Sequence, residues 1–174
     1  MNDRIQWSGS DWHLRVYELT LPDGSRRQKG YLDHPGAVTI VPLESDGQHV
    51  LMLHQYRRAL DETILELPAG TRRNGESWQE CARRELREET GQRAEQWLDL
   101  GQIWPAPGVS NEVMALYLAR GLSPDPLPPD VDEQIEVRAY RLSELATMAM
   151  DGRLRDAKSV VALLRAASYL RNGD

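Results

Sequence analysis

Apolar and polar residues alternate along WHLRVYELT (12–20), and the run stops at PDGS (22–25). That pattern predicts a half-buried strand, a turn and a second strand near Lys29 to Asp33. AVTIVPL (37–43) and a further apolar run at about 48–55 flank the polar segment ESDGQ, which predicts a pair of strands. TILEL (63–67) is a short strand that ends at Pro68-Ala69-Gly70. The period then changes. Ser77 followed by Glu80 has the form of a capping box, and Gly91 is a natural helix stop, so a helix is predicted from Ser77 to about Thr90. Strands follow near 96–104, 112–119 and 134–141. Ser143 and Gly152 bracket a second helix, and residues 157–171 carry the apolar stripe of a third. SPDPLPPDVDEQ (123–134) contains four prolines and neither period, so it is a loop. Its length inside a small domain points to function or mobility. Strands interleaved with three helices make a mixed α/β domain.

Composition narrows the possibilities. The chain has 174 residues, 40% of them apolar, which suits one domain with a real core. A net charge of -6 leaves no basic footprint for nucleic acid. The start of the chain is polar, and no apolar run approaches the ~18 residues of a membrane span. The single cysteine, Cys81, excludes an internal disulfide and fits a cytoplasmic setting. Cys81 falls on the apolar face of the first helix with Trp78, Ala82 and Leu86, where it serves the core. His13, His34, His49 and His54 show no metal-ligand spacing.

The first helix carries the chemistry. At 100° per residue, Glu85 and Glu89 are neighbours and Glu88 lies beside them. Glu80 and Glu88 each have Arg84 four residues away, whereas Glu85 has Cys81 on one side and Glu89 on the other. A like-charged pair at that spacing costs a few tenths of a kcal/mol. Clustered carboxylates of this kind suit hard divalent cations. The helix alone, however, reads better as an ordinary solvated Glu/Arg face.

The surrounding spacing decides between these. Gly70, five residues, Glu76, seven residues, Arg84-Glu85-Leu86, one residue, Glu88-Glu89, one residue and Gly91 resemble the Nudix box, G-x5-E-x7-R-E-U-x-E-E-x-G-U. The one departure is the last aliphatic position, which is Gln92 and puts only local packing in question. The resemblance implies hydrolysis of a nucleoside diphosphate linked to another moiety, with Mg²⁺ or Mn²⁺. It implies that Glu85 and Glu89 ligate metal, that Glu88 assists, and that the carbonyl of Ala69 completes the set. Arg84 would orient the glutamates, and Glu76, Gly70 and Gly91 would be structural.

Residues outside the box resemble the ADP-ribose pyrophosphatase branch of that family. These are LELPAG (65–70), HQYRRAL (54–60), VDEQIEV (131–137) and PAPGVSNE (105–112), with Pro107 lying 16 residues beyond Gly91. By resemblance, Arg57 contacts the substrate phosphates and Glu112 contacts ribose or a metal-bound water. Glu133 binds metal or activates the water, with Asp130 and Asp132 as rivals. Trp104 could border the base pocket. The implied fold is a mixed sheet sandwiched between helices (37–174), preceded by a small antiparallel β subdomain over 1–36. The branch implies a homodimer built through those early strands. The expected reaction converts ADP-ribose to AMP and ribose 5-phosphate. GDP-mannose or another nucleotide sugar is the alternative substrate, and a non-catalytic nucleotide sensor is the second alternative.

Overall fold

A computed structural model describes residues 3–128 and 134–173. The chain opens with three antiparallel strands in the order β1-β2-β3: β1 (Arg4–Ser8), β2 (His13–Thr20) and β3 (Arg26–Asp33). β1 lies ahead of the first expected strand. Its five residues, RIQWS, do alternate, but all are exposed and the run is short enough to merge with the polar start of the chain.

The main body holds two sheets. β4 (Ala37–Pro42), β7 (Ala69–Thr71), β8 (Gln92–Ile103) and β9 (Met114–Pro124) form a mixed sheet in the order β7-β4-β9-β8, with β4 and β9 parallel. β5 (His49–Arg57) runs between β10 (Ile135–Arg141) and β6 (Glu62–Glu66) in an antiparallel sheet. The runs at 37–43 and 48–55 are therefore not a strand pair. They share one isolated bridge, Leu43 to Val50, and then diverge into different sheets. The reason lies in β4, every residue of which is buried. A strand buried on both faces belongs inside a sheet and takes neighbours on both edges.

Side-chain alternation then assembles the layers. Val38 and Ile40 of β4, with Ala115, Tyr117 and Ala119 of β9, face the helix α1 (Trp78–Thr90) and meet Cys81, Ala82 and Leu86. Val41, Leu116 and Leu118 point the other way. They pack with Met52 of β5, Leu145 of α2 (Leu142–Asp151) and Ala162, Leu163 and Ala166 of α3 (Ala157–Asn172). The sheet is thus sandwiched between helices, as expected. Ser77 caps α1 through a complete capping box, and Gly91 ends it at φ 69° in the left-handed region that favours glycine. Gln92 is half-buried at the start of β8. Among the described residues, no helix is long and apolar enough to cross a membrane.

Candidate active site

The site forms where β7 passes beneath α1. The turn after β6 delivers Pro68 and then Ala69-Gly70-Thr71, and α1 lays its carboxylates on that backbone. Gly70 is required here by space, because a Cβ on it would fall 2.0 Å from the Glu85 carboxylate. Glu85 and Glu89 are only 8% and 6% exposed. The Ala69 N–H donates to Glu89 Oε2 at 2.8 Å.

Arg84 organises the rest of the box. Its Nε and Nη2 donate to the two oxygens of Glu76 at 2.8 and 3.0 Å. Its Nη1 reaches Glu85 Oε1 at 2.5 Å and Glu88 Oε2 at 2.7 Å, and Nη2 also meets the Thr71 carbonyl at 3.1 Å. Helical spacing left Glu85 without a cation at i±4, but the adjacent arginine supplies one, because its fork folds back over its own turn. Hydrogen bonds from Arg84 hold the Glu76 carboxyl at about 2, well below its usual value. Burial alone would lower the Arg84 guanidinium's pKa; hydrogen bonds to Glu76 and Glu88 outweigh it and raise the value. Arg73 pairs with Glu88 at 3.4 Å. Cys81 is fully buried and its thiol is pushed up mainly by that burial, so it is core rather than nucleophile.

A cavity of about 320 Å³ opens over this platform. Ala69, Gly70, Arg84 and Glu85 line it, together with Asp11, Arg57, Arg73, Glu112 and Lys158. Arg57 and Glu112 are therefore brought to the box from β5 and from just before β9. Arg57 is anchored by a two-pronged pair with Glu66, Nε to Oε1 at 2.7 Å and Nη2 to Oε2 at 2.8 Å. Glu112 lies 3.9 Å from His34 Nδ1, and its backbone N–H donates to Ser110 Oγ at 3.0 Å. Trp104 is not part of this cavity. It is 71% exposed and borders a separate one of about 710 Å³ with Tyr17, Tyr31 and Pro107. Glu133, Asp130 and Asp132 lie outside the described residues. The expectations missed Lys158 and Glu66. Lys158 is the second residue of α3, and Glu66 ends β6 with a fully buried carboxylate. An acidic residue at the end of an apolar strand was the available signal.

The chemistry of the box fits a divalent cation. Glu85 and Glu88 pair with Arg84, Arg73 also pairs with Glu88, and Glu89 accepts from the Ala69 N–H, so the helix presents a group of hard oxygen donors. The Gly70 cradle also keeps the Glu85 carboxylate against the backbone. Arg84 stands among the carboxylates, so Glu85, Glu88 and Glu89 do not converge as a set. Among the described residues, the trio whose ligand atoms come within 4.8 Å of one another is Glu44, Asp46 and His49. It belongs to the turn before β5, where Asp46 is engaged by the N–H groups of Gln48 and His49.

Comparison with known proteins bears on the same residues. The NUDIX domain matches over residues 33–163. The chain is 34% identical to the methanol dehydrogenase activator of Bacillus methanolicus over 159 residues, 90% of this chain and 85% of that protein. It is 32% identical to the ADP-ribose pyrophosphatase of Bacillus subtilis over the same shares of both chains. To the GDP-mannose pyrophosphatase of Yersinia enterocolitica it is 28% identical, over 93% of this chain and 92% of that one. A crystal structure of an ADP compounds hydrolase superposes with a TM-score of 0.82 at 25% identity, covering 99% of this chain and 93% of the other.

Proposed function

The chain belongs to the Nudix hydrolase family, and on that premise we propose that it hydrolyses ADP-ribose to AMP and ribose 5-phosphate with Mg²⁺ or Mn²⁺. One observation carries the reading. Arg57, Arg73, Arg84 and Lys158 line the same cavity as Glu85, so cations for a diphosphate stand beside carboxylates for a metal. ADP-ribose is preferred because the relatives that act on it include one at 32% identity, and because LELPAG and PAPGVSNE resemble that branch.

Glu85, Glu89, Glu88 and the backbone of Ala69 would hold the cation, which when bound acidifies a water and neutralises phosphate charge. Arg57 binds and orients the diphosphate, its guanidinium fixed in place by Glu66. Arg84 fixes the rotamers of Glu85 and Glu88. Glu133 positions or deprotonates the attacking water, Glu112 contacts the ribose or a metal-bound water, and Trp104 borders the base. The N-terminal strands pair with a second copy to make a homodimer, with residues 1–36 closing the nucleotide site. The reading includes a cytoplasmic location, to which the single buried Cys81 is suited.

The test is a panel of ADP-ribose, GDP-mannose, UDP-glucose, NADH, diadenosine polyphosphates and 8-oxo-dGTP, read by phosphate release after phosphatase treatment. ADP-ribose is expected to lead. Preference for GDP-mannose, which the 28% relative favours, would keep the box chemistry and replace the substrate. Absence of any turnover with metal present would favour a nucleotide-binding role. Glu85→Gln and Glu89→Gln are each expected to lower kcat at saturating Mg²⁺ by at least ~10²-fold, the scale of a lost electrostatic stabiliser. Near-normal kcat in either would reject the site.

A further inference from the structure

Glu66 is a fully buried carboxylate, and a charge in that position requires compensation. Arg57 already provides it, spanning both oxygens in the fork-to-fork geometry that is the strongest form of the pair. Yet a second cation, Lys158, is also hydrogen-bonded to Glu66 Oε2. Neutralising Glu66 does not by itself call for it.

The placement of Lys158 is just as deliberate. Asp156 caps α3, accepting from the Ser159 N–H at 3.1 Å and the Ser159 hydroxyl at 2.5 Å, and it takes a third hydrogen bond from Lys158 at 2.9 Å. Ser159 Oγ in turn accepts from the Leu67 N–H at 2.7 Å. The first turn of α3 is thereby tied to the backbone that leads directly into Ala69 and Gly70. Lys158 is 11% exposed, and the exposed part faces the cavity shared with Gly70 and Glu85. Two of its three N–H donors go to Glu66 and Asp156. The third has no partner among the described residues, and neither has Arg57 Nη1.

We propose that Lys158 and Arg57, seated together on the buried Glu66 carboxylate, form one two-cation cradle, in which Lys158 takes a phosphate oxygen of the substrate's diphosphate. This rests on the hydrolase reading above. Glu66 is then a positioning residue. It lies beneath both cations and holds them at the cavity wall without reaching the ligand itself. Arg supplies a planar fork and Lys a compact point charge, so the two can serve oxygens on different phosphates.

The test compares Lys158→Met and Lys158→Arg with the unaltered protein. The first readout is calorimetric binding of the methylene-bridged analogue of ADP-ribose, which cannot turn over. The second is steady-state hydrolysis of ADP-ribose, with thermal unfolding run alongside. Lys158→Met is expected to weaken analogue binding and raise KM by about 10-fold, the scale of one charge-assisted hydrogen bond. Lys158→Arg is expected to recover most of that loss. An unchanged Kd in Lys158→Met, whatever happens to kcat or Tm, would reduce Lys158 to an ion-pair partner of Glu66 and overturn the inference. Should Lys158→Met not fold, Lys158→Gln, which removes the charge but keeps a polar group beside Glu66 and Asp156 and leaves the Arg57–Glu66 pair in place, gives the same readout. An unaltered protein that binds the analogue without hydrolysing ADP-ribose would sink the hydrolase reading while leaving the cradle to be judged by Kd. One that binds no analogue overturns both.

Discussion

Gly70 shows how much of the site rests on single atoms. Its need for glycine comes from space alone, since the nearest obstacle to a Cβ is the Glu85 carboxylate at 2.0 Å. That carboxylate cannot retreat cheaply, because Arg84 holds it at 2.5 Å and the residue is almost buried. Gly70→Ala is therefore expected to displace Glu85 and lower kcat/KM by on the order of 100-fold, the cost of misplacing a reacting group by about 1 Å. The fold should survive, with a loss of about 1–3 kcal/mol typical of overpacking. Steady-state kinetics together with thermal unfolding check this, and wild-type kcat/KM in a folded Gly70→Ala protein would refute the cradle. The residues of the box were legible in the sequence through their resemblance, at fixed spacing, to the Nudix box, since the helix by itself reads as a solvated Glu/Arg face. Glu66 and Lys158 were not, since they sit 92 positions apart and meet only when the ends of β6 and α3 converge. Arg84 contacting Glu85 escaped the helical rule because adjacent residues do not face one another. A guanidinium long enough to fold back overrides that rule.

At the scale of elements, the loop of residues 72–77 is clamped to α1 through Glu76. That carboxylate accepts from Arg84 on the helix and from the Arg73 backbone N–H at 2.9 Å in the loop. Held at about 2 instead of its usual 4.5, Glu76 stabilises the fold only where it is ionised. The contribution is complete above the unfolded-state value and is lost as pH falls from about 4.5 to about 2. Glu76→Gln should accordingly be less stable than the parent by about 1–3 kcal/mol near neutral pH, as for a hydrogen bond to a charged group. The gap should close on acidification through that window. Paired thermal melts across pH would check it, and a gap independent of pH would assign the effect to packing. The ends of α1 could be read in advance because capping is local: Ser77, Glu80 and Gly91 announce it whatever surrounds them. Strand partners could not. The apolar runs at 37–43 and 48–55 look like a hairpin, and only the requirement to bury both faces of β4 separates them.

The whole molecule divides into a body with a closed core and a sheet without one. β4 and β9 bury both faces, whereas no residue of β1, β2 or β3 is fully buried. A three-stranded sheet needs an apolar face packed on something to be stable. This one meets the body chiefly through Leu32, whose N–H donates to the Val109 carbonyl at 2.8 Å, and through Asn111, whose side chain accepts from the His34 N–H at 2.8 Å. Ile5, Trp7 and Leu19 remain 49%, 51% and 41% exposed. A second copy of the chain is the partner proposed above for these strands, and it would cover that surface symmetrically. The expected solution mass is therefore twice 19.8 kDa by sedimentation equilibrium. Ile5→Asp with Trp7→Glu places charge in the buried patch of such a pair and should shift the protein to monomer. Because the strands are proposed to close the nucleotide site, the monomer should also show a raised KM for ADP-ribose, with the carboxylates of α1 undisturbed. A parent protein already monomeric at assay concentration would remove the dimer from the proposal. A monomeric variant with unchanged KM would separate assembly from the site and return residues 1–36 to a purely structural part.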